Sequence, residues 1–291
     1  MSSPDRTKLF DGVAARSYIA WAALSLCSLA YFQASEHLVH KPRIGTAAEF
    51  SVRLPVMAQV LMAMGDRQLA ANLSGFRVLV AETERMSKED YAIQAGLQRD
   101  ISWLNPAHED NYYIAAAILP WGGQLEATQV VLQRAADARP FDYLPLFHLG
   151  FNHYHFYRNP AKGAEILLSA VPRTKDQQDQ WALQNVAALW IERGYRLGDA
   201  AGRVEAMANA APPGGFRKYL MVRASRLRDL DRLRSLARQY EQQYGHHLVR
   251  LDDLVRRGLL ERIPPDPLGV GFGVDAKGEP VFRDALRGSR Q

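Results

Sequence analysis

Three alanines, Ala127, Ala164 and Ala201, stand thirty-seven residues apart in near-parallel stretches of sequence: GGQLEATQVVLQRAADARP, NPAKGAEILLSAVP and RLGDAAGRVEAMANAAPP. Each stretch carries a turn signal, then the alanine, then an aliphatic or methionine-bearing stripe, then small residues and a proline. A fixed period of this kind marks a repeat array, in which each unit buries its apolar face against its neighbours. Small residues at the crossing let paired helices approach closely, and the trailing proline stops the second helix. A partner precedes each stretch: EDNYYIAAAIL, DYLPLFHLGFNHYHFY and DQWALQNVAALWIERGY. The spacing therefore predicts a helix-turn-helix hairpin repeated three times.

The flanks extend the helical pattern. AAEFSVRLPVMAQVLMAMG and RQLAANLSGFRVLVAETERM place apolar residues three and four apart, and Ser87 with Asp90 offers a capping box for KEDYAIQAGLQRDISWL. Asn105-Pro106 ends that helix. Beyond the third hairpin, GFRKYLMVRASRL and DLDRLRSLARQYEQQYG read as a fourth, with Leu227, Leu230, Leu233, Leu236 or Ala237, and Tyr240 as its stripe. From Arg217 to Arg262 there are twelve Lys/Arg against six Asp/Glu. These arginines fall largely off the stripe, so a solvated basic face is expected; such a face can meet nucleic acid, anionic lipid or an acidic protein, of which nucleic acid is not an expected partner.

The chain ends in a different grammar. RLDDLVRRGLLERIP predicts a short helix with Leu251, Leu254 and Val255 inward and Gly258 as the stop. PPDPLG then turns the chain, VGFGVD reads as a strand, DAKG as a turn and PVFR as a return strand. A helix plus hairpin can close the open apolar end of a repeat array. Asp266 and Asp275 fall far short of the six or more oxygens a calcium ion takes, so no metal is expected there.

At the other end, VAARSYIAWAALSLCSLAYF runs from Val13 to Phe32 with one charge, Arg16. Twenty helical residues rise about 30 Å, the thickness of a bilayer core. Tyr18, Trp21, Tyr31 and Phe32 lie toward its ends as interfacial anchors, and Arg16 can snorkel to the headgroups. No small-x-small cleavage site follows, and bulky Leu26 argues against acylation of the lone cysteine, Cys27. An uncleaved span is expected, with the large domain outside the cytoplasmic membrane. One cysteine also excludes an internal disulfide and a thiolate cluster.

Catalytic signatures are missing: no GxSxG, HExxH, phosphate loop or dinucleotide fingerprint occurs. His148, His153 and His155 lack a carboxylate at ligand spacing, so aromatic packing is expected rather than a metal. Neither a cofactor nor enzymatic activity is expected. Trp103, Trp121, Trp181 and Trp190 are expected mostly in the helix-helix core. Tyr112, Asn152 and Asn185, polar-headed residues on the first helices of the hairpins, are the expected lining of a concave partner groove.

The repeat resembles the tetratricopeptide family over roughly residues 87 to 241, with Leu149-Gly150 at its Leu-Gly pair and Tyr154 near its aromatic position. The period here is longer than the family's roughly thirty-four. The run WLNPAHEDNYY to SAVP is similar to a group of bacterial membrane-anchored repeat proteins. Leu-x-x-Leu-Val-x-x-Gly-Leu-Leu, then Asp-Pro-x-Gly and Asp-x-x-Gly, resembles the C-terminal part of the major pseudopilins of type II secretion. The resemblance implies an all-α, TPR-like hairpin solenoid with an N-terminal transmembrane helix and a small β-hairpin cap. It implies a non-enzymatic scaffold for an envelope complex of pilus or secretion type, whose partners are other proteins. The alternative is an accessory subunit of a large membrane enzyme or electron-transfer complex. The expected domains are a tail at 1–12, a span at 13–34, a linker at 35–46, the repeat body at 47–245 and the terminal helix and hairpin at 246–291.

Overall fold

A computed structural model describes residues 21–33, 35–36, 53–80 and 86–283. The chain divides into two compact units, with the boundary after Ala48. In the first, residues 21–33 are helical and expose Trp21, Leu24, Leu26, Leu29, Tyr31 and Phe32. Among the described residues no helix is long and apolar enough to cross a membrane. Residues 13–20 of the expected span, Tyr18 included, lie outside the described residues.

The second unit is mostly helical. Its helices are α1 (Val56–Met62), α2 (Arg67–Leu79), α3 (Lys88–Leu104), α4 (Glu109–Ile118), α5 (Leu125–Ala138) and α6 (Leu144–His155). These are followed by α7 (Pro160–Ala170), α8 (Gln177–Gly194), α9 (Leu197–Ala210), α10 (Gly215–Tyr244) and α11 (Leu251–Arg256). The strands β1 (Phe272–Val274) and β2 (Pro280–Phe282) close the chain as an antiparallel pair, with Phe272 opposite Phe282.

The three predicted hairpins form, as α4–α5, α6–α7 and α8–α9, and successive helices pack on one another. The period alanines are buried, Ala127 at 8 % exposure and Ala164 and Ala201 at 1 %. Local sequence sets the boundaries. Asp66, Asn159 and Asp176 accept backbone N–H groups at the starts of α2, α7 and α8, and Ser87 and Asp90 close the capping box of α3. At the crossing of α6 and α7, Gly150 and Gly163 face each other. A Cβ on either would stand within 2.9 Å of the other's carbonyl oxygen. Only glycine permits that approach.

Three expectations change. The first predicted helix begins at Val56, because Pro55 starts it and residues 53–55 are not helical. The predicted fourth hairpin is one helix, α10, of 30 residues. No glycine or proline interrupts it between Gly215 and Tyr244, and its buried positions Leu220, Ala224, Leu227, Leu230, Leu233, Ala237 and Tyr240 keep helical spacing throughout. Gly245, at φ 73°, then ends it in the left-handed region. Nor are all of its arginines solvated. Arg223 pairs with Glu192 of α8, and Arg226 pairs at 2.9 Å with Asp266, whose side chain is 1 % exposed.

The terminal hairpin docks on α10. Phe272 is buried, Arg226 lies 3.7 Å from the Phe282 ring centroid, and Arg234 Nε donates to the Pro280 carbonyl at 2.9 Å. Asp266 accepts from the backbone of Leu268 and Gly271, and Asp275 from that of Lys277 and Glu279. Both carboxylates therefore organise turns.

Candidate partner-binding face

The first helices of the hairpins, α4, α6 and α8, together with the N-terminal half of α10, present one connected band of aromatic and polar side chains. It begins at the turn between α5 and α6. There Asp142 accepts from Tyr112 Oη at 2.7 Å, Arg139 Nε at 2.8 Å and the Leu144 N–H at 3.0 Å. Arg139 also donates to Glu109 at 2.8 Å and to the Ala107 carbonyl at 3.1 Å. Burial alone would raise the Asp142 pKa, but the hydrogen bonds from Tyr112 and Arg139 outweigh it and hold the carboxyl below its ordinary value. Burial, reinforced by Asp142, pushes the Tyr112 phenol far above the usual tyrosine range.

From this anchor the band runs outward. Tyr112 stacks on Tyr113, whose ring meets His148 edge-on. Phe147 flanks His148, and His155 stacks on Phe151 at 5.3 Å beside Trp121. Next, α6 and α8 enclose a cavity of about 190 Å³ lined by Tyr143, Leu144, Phe147, Asp179, Ala182, Leu183 and Val186. On the far side of α8, Trp181 stacks on Phe216. Tyr219 Oη donates to Asn185 Oδ1 at 3.2 Å and accepts from Arg223 Nη1 at 2.7 Å.

Two of the three expected groove residues sit inside the stack. Tyr112 is 0 % exposed, and Asn152 is 2 % exposed with its amide donating to Gln129 at 3.1 Å. Their polar heads bond Asp142 and Gln129 rather than solvent, so they position the face without lining it. Asn185 remains half-buried at the band, bonded to Tyr219. The tryptophans also divide: Trp190 is buried against Tyr154, whereas Trp103, Trp121 and Trp181 are 47 %, 63 % and 40 % exposed. The cavity is lined instead by Phe147, Leu183 and Val186, apolar residues whose spacing on the first helices of their hairpins is equally regular.

No family model matches the chain. Likewise, no curated protein and no solved structure matches it. Its chemistry must be read from its own side chains. The three histidines pack as aromatic rings, His148 with Tyr113 and Phe147, His153 with Tyr157 and His155 with Phe151. No cluster of three or more His, Cys, Asp or Glu that could hold a metal occurs among the described residues. The band offers apolar and aromatic surface with fixed hydrogen-bonding heads, which is the composition of a protein-contact surface.

Burial lowers the pKa of His148, opposed in part by Asp142. A histidine depressed in the folded state contributes stability that is present above its unfolded pKa and is lost as pH falls through the folded value. We expect the His148 ring resonances to titrate with a midpoint below 6.5. His148→Phe should correspondingly flatten the loss of Tm as pH falls below about 6.5. An unchanged acid limb in the variant would place the acid sensitivity elsewhere.

Proposed function

We propose that this protein is a non-enzymatic, TPR-like scaffold that holds a protein partner on the band formed by α4, α6, α8 and α10. The observation that carries this reading is the 190 Å³ apolar cavity between α6 and α8, with the Asp179 carboxylate among its walls. Small-molecule sites run roughly 300–1,000 Å³, so this cavity suits one bulky apolar side chain of a protein anchor. Asp179 and Tyr143, on the same wall, are left to meet polar groups of the segment that carries it.

In the same proposal residues 13–34 tether the scaffold to the cytoplasmic membrane, with the repeat body on the periplasmic side. The uncovered apolar side chains of residues 21–33 support this. A tether raises the local concentration of partners in the same membrane. The pseudopilin-like ending points to pilin-like or secretion subunits as the clients, so the scaffold would assemble or stabilise an envelope complex.

The test compares the full-length protein with Val186→Arg, which fills the cavity with a charged side chain. Both are recovered from native membranes in mild detergent, and co-purifying proteins are identified by mass spectrometry. Pilin-like or secretion subunits that accompany the wild type and are reduced about tenfold or more by Val186→Arg are expected, because an interface anchor contributes at least ~2 kcal/mol. Fixed-stoichiometry recovery of a respiratory or other enzyme complex, unaffected by the variant, would replace the scaffold with an accessory-subunit role.

A further inference from the structure

A second cavity lies away from the partner face, at the start of the helical body. Its volume is about 520 Å³, and its walls are Arg53, Val56, Met57, Arg99, Asp100, Trp103 and Arg134. Three arginines from three separate parts of the chain thus line one cavity with a single carboxylate. Asp100 is already matched: it accepts from Arg53 Nε at 2.9 Å and from Nη2 at 2.6 Å. Gly96 makes room for this fork, since a Cβ there would stand 2.9 Å from Arg53 Nη1.

The other two arginines carry the excess charge. Arg134 is fixed by Nη1, which donates to the Arg99 carbonyl and to Ser102 Oγ, each at 3.0 Å. Its Nε and Nη2 have no partner among the described residues. The Arg99 guanidinium makes no hydrogen bond, ion pair or ring contact among the described residues, and it is exposed. The indole wall is fixed as well. Arg67 lies 4.5 Å over the Trp103 ring and donates to the Trp103 carbonyl at 2.8 Å. The cavity therefore holds a net charge of two positive units, with the Arg134 guanidinium already oriented, and an apolar wall of Trp103, Val56 and Met57.

We propose that this cavity binds a phosphate group, with Arg99 and Arg134 as its principal donors and the Trp103 wall against any organic part. A guanidinium presents a planar fork that matches phosphate oxygens, and two uncompensated forks match a phosphate, singly charged as a diester and doubly charged as a monoester, better than a single carboxylate. Fixing Arg134 in advance lowers the entropic cost of binding. The volume exceeds what a bare phosphate ion fills, so an ester fits, whether a soluble phosphate ester or a phospholipid headgroup. Nothing here depends on the partner face, because none of these residues belongs to it.

The experiment uses the full chain in non-ionic detergent, titrated by calorimetry with two probes. One is inorganic phosphate; the other is phosphatidylglycerol in mixed micelles, referenced to phosphatidylcholine. The diagnostic variant is Arg99→Gln, which removes a group with no structural partner, and its fold is checked by circular dichroism. Saturable binding of inorganic phosphate, weakened about tenfold or more by Arg99→Gln, is expected for a soluble phosphate site. The same loss seen only with phosphatidylglycerol supports a lipid headgroup as the source. No saturable binding of either probe overturns the proposal, as does equal affinity in the variant. An acidic polyglutamate peptide that outcompetes both probes also overturns it, and makes the cavity a protein-contact site.

Discussion

Glu192→Ala is expected to lower stability by about 3–5 kcal/mol, because it strands a buried cation. Arg223 reaches from α10 to α8, where its Nε lies 2.8 Å from Glu192 Oε1 and its side chain is only 8 % exposed. Its remaining bond, Nη1 to Tyr219 Oη, cannot neutralise the charge. The double variant Arg223→Met, Glu192→Leu should recover most of the loss, since apolar groups of similar volume often replace a buried pair at little net change. Urea melts of the single and double variants check this. A single-variant loss below about 1 kcal/mol would mean that water screens the pair as at a surface. The pair also holds Tyr219, which in turn donates to Asn185. If the band holds a partner as proposed, its binding should weaken in Glu192→Ala even under conditions where the protein stays folded.

Gly163→Leu is expected to cost about 3 kcal/mol or more, beyond the ordinary range of overpacking, because the obstacle is backbone. The new Cβ would meet the Gly150 carbonyl oxygen at 2.8 Å and both the Trp190 ring and the Tyr154 N–H at 3.2 Å. Side chains can rotate away, but a helix carbonyl cannot. Gly202, on the exposed face of α9, is the internal control. A Cβ there has no neighbour within 4 Å, so Gly202→Ala should stabilise by about 1 kcal/mol through helix propensity alone. Thermal melts of both variants give opposite signs if helix approach at Gly163 is what sets the crossing. Equal and small shifts would show that α6 and α7 can separate without penalty.

The repeat body was legible because its informative residues act locally. Alanine at each crossing, a capping carboxylate or amide before the helix and proline after it each operate within a few residues of where they stand. The terminal hairpin was legible for the same reason, since Asp275 to Gly278 contains the whole turn. The division of α10 into two helices was a misreading: the segment around Asp229 is polar, yet it contains no breaker and the buried stripe continues through it. Charged exposed positions do not end a helix.

The site was harder to read, because one residue turns a helix by about 100°. Tyr112 and Tyr113 are neighbours in sequence, but the first is sealed against Asp142 and the second is 38 % exposed on the band. Composition cannot choose between them; the position of Asp142, thirty residues on, does. The arginine cavity is further out of reach. Arg53 and Asp100 are separated by 47 positions, and Arg134 meets the Arg99 carbonyl across 35. Only packing brings them together.

The length of α10 has a thermodynamic consequence. Thirty residues span about 45 Å. Along that rod Leu220, Ala224 and Leu227 belong to the core of the repeat body, while Leu230, Leu233, Ala237 and Tyr240 belong to the core under the terminal hairpin. Phe282 touches both. Fraying of the hairpin would uncover half of a helix whose other half is locked into α8 and α9, so neither core can melt while the other keeps its full stability. A calorimetric scan of the body should therefore show these two cores absorbing heat together, as a single cooperative foldon rather than a cap that peels from a stable array.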